Sequence, residues 1–147
     1  MRSPSYVLKY RFRFDDAEVN LNHANRDCLT SARALVAQAW NDPTSYHALL
    51  RESQALLEAA LWSSPNDVAV ITCLGAVLCD LHLHAEAREH LAHAITLETT
   101  DWNTYFNMFV AMLKCSTFDD ARKMLVRGAE LEADPVTWQA YFDVHAM

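Results

Sequence analysis

From residue 25 onward the apolar residues return every three or four positions. Val70, Leu74, Val77, Leu78 and Leu81 share one face of a 3.6-residue period, and Leu91, Ala94 and Ile95 do the same in the next segment. Ala, Leu and Glu are frequent and glycine is scarce, so helices are expected here and strands are not. The pattern breaks at Asn41-Asp42-Pro43, Ser63-Ser64-Pro65-Asn66, Leu81-His82-Leu83-His84, Thr99-Thr100-Asp101, Cys115-Ser116-Thr117 and Asp134-Pro135, where turn formers and N-cap residues cluster. Seven helices are predicted. Pro43 interrupts the opening pair, which makes the second helix long, from about Thr44 to Ser63. The last opens at Asp134, with Pro135 in its first turn and Trp138, Tyr141 and Phe142 covering the end of the core.

Ahead of the helices the period changes to two. Leu8, Tyr10, Phe12 and Phe14 alternate with Lys9, Arg11 and Arg13, the spacing of a strand. One strand alone does not persist, so this arm must pair with a second copy in a homodimer, pair with a partner chain, or lie against the helices. A short bend over Asp15–Asn20 is expected to lead into the first helix. The organisation read from the pattern is an extended basic-aromatic arm over residues 1–20 and a helical domain over residues 21–147.

Comparing the helical part with itself reveals a period. Ala87-Arg88, Leu91 and Leu97-Glu98 recur 34 residues later as Ala121-Arg122, Leu125 and Leu131-Glu132. Run backwards, the same offset pairs Glu52 with Glu86, Leu57 with Leu91 and Ala60 with Ala94. Trp102, Tyr105 and Phe106 are echoed by Trp138, Tyr141 and Phe142, as though the last helix restarts the repeat. The small residues have a physical role: helix axes 8–10 Å apart leave room for alanine where a larger side chain would wedge them open.

These residues resemble the tetratricopeptide repeat (TPR) family, a 34-residue helix-turn-helix unit. Leu74-Gly75 with Leu78, then Ala85-Glu86-Ala87, Leu91 and Ala94 fit its pattern, and Phe118-Asp119-Asp120-Ala121, Leu125 and Leu131 fit it again. The fit is good over residues 50–147 and poor over residues 25–49. Gly128 stands where a third small residue is usual, and His82 replaces a usual turn glycine. The resemblance implies an all-α, TPR-like right-handed α-solenoid of about three helix pairs plus a C-terminal capping helix, preceded by the arm. Stability would come from stacking the pairs.

The resemblance also implies a site. First helices of such a stack line a concave face, and ligand peptides lie against fixed positions on it. Those positions are Ala69, Thr72, Ala76 and Cys79 in one repeat, Asn103, Phe106, Val110 and Leu113 in the next, and Gln139 and Phe142 in the last. The expected peptide-binding groove is therefore Thr72, Ala76, Cys79, Asn103, Phe106, Val110, Leu113 and Phe142, with Leu8, Tyr10, Phe12 and Phe14 of the arm as one occupant. The alternative is that these side chains pack in the core. The family's clamp for a terminal carboxylate is not expected, because Thr72/Ala76 and Phe106/Val110 replace its Lys and Asn.

Composition narrows the partners. The 147 residues carry 12 basic and 19 acidic side chains, a net charge of −7, and the first fourteen hold Arg2, Lys9, Arg11 and Arg13 with no acid. An acidic body cannot release counterions from a phosphate backbone, so nucleic acid is not expected. No stretch approaches the roughly 18 apolar residues of a membrane span, and no signal-peptide pattern opens the chain, so no membrane partner and a cytoplasmic location are expected. Cys28, Cys73, Cys79 and Cys115 are widely spaced, as buried free thiols would be.

Catalytic and metal chemistry find little support. The chain has no GxSxG, no HExxH, and with two glycines no phosphate-cradling loop. Cys79 near His82 could make a nucleophile, though two buried thiols, Cys73 and Cys79, are the simpler reading. His90 and His93, with Glu86, Glu89, His82 and His84 nearby, are the one metal candidate, on a face expected to be solvated. No cofactor, no metal and no catalytic residue are assigned. The reading is a non-enzymatic adaptor for a protein or peptide partner. The alternatives are a dedicated chaperone or inhibitor of one secreted protein or toxin, and a self-assembly element using the arm.

Overall fold

A computed structural model describes residues 16–143. It is all-helical: α1 (Asp16–Asn41), α2 (Tyr46–Ser63), α3 (Val68–Asp80), α4 (His84–Thr96), α5 (Trp102–Met112) and α6 (Phe118–Gly128), with no strand among the described residues. No helix among them is long and apolar enough to cross a membrane.

The boundaries follow from local chemistry. Asp67 caps α3 by accepting the Val70 N–H at 3.2 Å, Asp101 caps α5 by accepting the Asn103 N–H at 2.9 Å, and Thr117 caps α6 by accepting the Asp120 N–H at 3.2 Å. Asp119 and Asp120 sit in the first turn of α6, where carboxylates offset the helix dipole. At the end of α3 the chain turns through His82, whose φ of 61° is left-handed. The Leu83 N–H then returns to the Leu78 carbonyl at 2.8 Å, which closes the helix. The residue standing in for a turn glycine thus adopts a glycine-like backbone, and Glu98, at 58°, does the same after α4.

Each helix packs on the next in chain order. The odd-numbered helices also approach one another, α1 to α3 and α3 to α5, whereas the backbones of α2, α4 and α6 stay more than 8 Å apart between Cα atoms. Two layers result, and α3 is central to the odd-numbered one. Every residue from Val70 to Asp80 is buried, as an all-round apolar helix requires. Full burial of Leu74, Val77 or Leu78 is worth about 1.5–3 kcal/mol each.

The small residues sit where helices approach. Ala60, Ala87, Ala94 and Ala121 are all buried. A Cβ on Gly75 would lie 2.5 Å from Leu91 Cγ, and one on Gly128 would lie 2.6 Å from the Trp102 ring. Both glycines are therefore packing sites, and neither has a positive φ.

Three expectations are corrected or left outside. The first helix begins at Asp16, so the bend expected over Asp15–Asn20 is helix from that residue on. With 26 residues α1 is the longest helix, ahead of the 18 of α2. The capping helix expected from Asp134 does not form. Asp134 begins one, accepting the Val136 N–H on its side chain and the Thr137 N–H on its carbonyl, but residues 138–143 are irregular. The arm residues Leu8, Tyr10, Phe12 and Phe14 lie outside the described residues.

Candidate functional site: an irregular segment across the odd-numbered helices

The seventh helix is missing because its backbone groups are taken by side chains. Residues 134–143 run across α1, α3 and α5, and polar residues of those helices bind them through the main chain. Asn107 Nδ2 donates to the Trp138 carbonyl at 2.8 Å, and Asn107 Oδ1 accepts the Ala140 N–H at 2.7 Å. Asp80 Oδ1 accepts the Tyr141 N–H at 2.8 Å. Arg33 Nη1 donates to the Pro135 carbonyl at 2.7 Å, with its guanidinium 5.6 Å from the centre of the Trp138 ring. A helix needs those same N–H and C=O groups for itself.

The entry to the segment is equally specific. Asp101, the α5 cap, also accepts the Asp134 N–H at 2.9 Å and the Thr137 hydroxyl at 2.6 Å. Asn103 Nδ2 donates to the Asp134 carbonyl at 3.0 Å and to Thr137 Oγ1 at 2.7 Å. Asn103 and Asn107 stand four apart on α5, so both amides point to one side of the helix. Asp101, Asn103, Asn107 and Thr137 are all buried. Burial without partners would cost Asp101, Asn103 and Asn107 about 1–3 kcal/mol each, and the segment lowers that penalty.

Aromatic contacts complete the seat. Tyr141 lies against Trp40 of α1 with ring centres 4.6 Å apart, and Phe142 lies 5.8 Å from Phe109 of α5. Beside them is a cavity of about 260 Å³ lined by Trp40, Tyr46, Asp80, His84, Lys114 and Tyr141 among others. Asp80 is 6% exposed, and its Oδ2 has no hydrogen-bond partner among the described residues. Burial pushes its carboxyl up to about 7, against the opposing effect of the Tyr141 N–H. Burial, then Asp80 and Tyr141, pushes the Tyr46 hydroxyl up to about 12. His84 is held below its ordinary value by burial and by the neighbouring His82 and Lys114.

The residues expected to line a groove fall into three groups. Thr72, Ala76 and Cys79 are buried on α3, and Thr72 Oγ1 lies 2.7 Å from Thr104 Oγ1. Asn103, Phe106, Val110 and Leu113 lie on or at the end of α5. Asn103 holds the segment, Val110 and Leu113 line the cavity, and Phe106 is half-buried between Trp102 and Phe109. Phe142 is not on a helical wall; it belongs to the segment. Asn107, Asp80, Asp101, Arg33 and Trp40 were not anticipated. Asn107 had a signal, a second buried-side asparagine four residues after Asn103 in a helix otherwise rich in apolar residues. Asp80 and Arg33 had none, because their partners are distant in the chain.

The other candidate chemistries are not assembled. The four thiols are unpaired: Cys73 and Cys79 are buried, Cys28 is half-buried and Cys115 is exposed, which corrects the expectation that all are buried. Burial pushes the Cys73 thiol up to about 12 and that of Cys79 further, away from the thiolate a nucleophile needs. His93 faces Asn66, with Nε2 2.9 Å from Oδ1, and no three potential metal ligands converge among the described residues. No family model, curated protein or solved structure matches this chain.

Proposed function

We propose that this chain is a non-enzymatic, TPR-like protein-interaction module, a solenoid of three helix pairs whose concave face is the α1–α3–α5 layer. Its work is to hold an extended segment of a protein partner. One observation supports this above all: Asn103, Asn107, Asp80 and Asp101 recognise a peptide main chain on that face. Side-chain amides and carboxylates aimed at backbone N–H and C=O groups bind an extended peptide whatever most of its side chains are. The half-buried Phe106 and Leu113 add apolar surface beside that track, and four unpaired thiols suit a reducing cytoplasm.

The test is affinity purification of the full chain, identification of the co-purifying protein by mass spectrometry, and titration of that protein in isolation. Phe106→Ala and Leu113→Ala should each weaken binding about tenfold, equivalent to about 1.4 kcal/mol. An affinity unchanged by both substitutions removes the groove assignment.

A further inference from the structure

We propose that residues 134–143 are a displaceable internal ligand, and that the partner of this face is an extended peptide that replaces them, with a hydroxyl residue where Thr137 sits and a small residue where Ala140 sits. This rests on the function proposed above and gives it a partner chemistry and a means of control.

The segment is held in two ways: Ala140 joins the buried core with Trp138 and Phe142 packed against it, and wall side chains bind its main chain. Thr137 and Ala140 are its buried side chains, whereas Val136 is 45% exposed and Tyr141 56% exposed. Its hydrogen bonds to the helices are mostly from its main chain to side chains that belong to the wall. The stretch joining it to α6 is exposed at Ala129, Glu130, Glu132 and Ala133, and it is tied to α5 by a backbone bond, the Trp102 N–H donating to the Glu132 carbonyl at 3.1 Å. The wall, in contrast, is committed. With the segment gone, Asn103, Asn107, Asp80 and Asp101 would each lose a partner in a buried setting, so the face requires an occupant.

The contacts also state what a replacement must offer. Asp101 Oδ2 demands a hydroxyl at the Thr137 position. Asn107 Oδ1 and Asp80 Oδ1 demand backbone N–H groups at the positions of Ala140 and Tyr141, which excludes proline from both. Ala140 is 5% exposed, so a large side chain does not fit there. Aromatic residues next in line would meet Trp40 and Phe109 as Tyr141 and Phe142 do. A tethered competitor acts at an effective concentration of about 1 mM, so an internal segment of about 10 µM intrinsic affinity weakens the binding of any incoming peptide about a hundredfold.

The probe is a fluorescein-labelled peptide of residues 131–143, titrated by anisotropy into the full chain and into the double variant Thr137→Val/Ala140→Pro, which unseats the internal segment and leaves the wall intact. The double variant should bind the peptide at least tenfold more tightly than the wild-type chain, and adding Asn107→Leu should abolish that gain. A double variant with wild-type helicity that ignores the peptide overturns the proposal, as does equal binding by both chains.

Hydrogen exchange on the wild-type chain tests the same idea should the double variant not fold. The Ala140 and Tyr141 amides should exchange at least tenfold faster than those of α3, by local opening. Exchange at the same rate, through global unfolding, overturns the proposal. A concentration-dependent wild-type dimer dispersed by Ala140→Pro overturns it too, because the segment would then belong to a second copy. Peptide results that fail while partner binding still depends on Phe106 and Leu113 remove the internal ligand and leave the interaction module standing. The converse result removes the groove's role in partner binding alone.

Discussion

Asp80 should make the protein less stable as pH rises toward neutrality. Its carboxyl is buried, one oxygen accepts the Tyr141 N–H, and the other has no hydrogen-bond partner among the described residues. The rise from 3.8 to about 7 means that folding favours the protonated form by about 4 kcal/mol. Below pH 4 the group is protonated in both states and imposes no penalty. Between pH 4 and 7 the unfolded chain gives up its proton while the folded chain keeps it, so stability falls with pH. Above 7 both states are ionised and the penalty is complete. Asp80→Asn retains an oxygen for the Tyr141 N–H and cannot ionise. Urea unfolding followed by far-UV circular dichroism, at half-unit steps from pH 5 to 8.5, reads the difference between variant and wild type. That difference should grow in the variant's favour up to about pH 7 and then level off. A constant difference across the range would refute the reasoning, since it would mean that Asp80 is ionised and solvated throughout.

Three further substitutions test the packing and the helix ends. Gly75→Ala puts a methyl group against the fully buried Leu91 and should cost about 1–3 kcal/mol despite alanine's better helix propensity, a drop in Tm readable by calorimetry. Glu98→Gly relieves a left-handed backbone at an exposed turn and should stabilise the fold by about 0.5–1 kcal/mol in urea titrations, the strain relieved outweighing the added chain entropy. Thr117→Ala removes the cap of α6 and should cost about 1 kcal/mol, with Thr117→Ser restoring most of it; equal stability of the two variants would argue against the cap.

Six helices and the breaks between them were legible along the chain, though not the start of α1, because helix periodicity, caps and turn residues act within a few positions of one another. The breaks around Pro43, Pro65, His82, Asp101 and Thr117 are local statements, and each separates two observed helices. The small residues were legible for a related reason. A 34-residue recurrence of small residues reports close helix contacts, and Ala87 with Ala121, and Ala60 and Ala94 with Gly128, make them.

The last segment shows where local reading stops. Asp134-Pro135 is a sound helix start, and the chain makes that first turn before Asn107 and Asp80 take the backbone groups the next turns would need. Nothing near residue 138 announces this, because the competing amide and carboxylate arrive from 31 or more positions away. The order of apolar and polar residues determined six helices, the breaks between them and their closest approaches. The tertiary structure decided that the face they share is covered, since only the assembled α1, α3 and α5 bring Arg33, Asp80 and Asn107 onto one stretch of main chain.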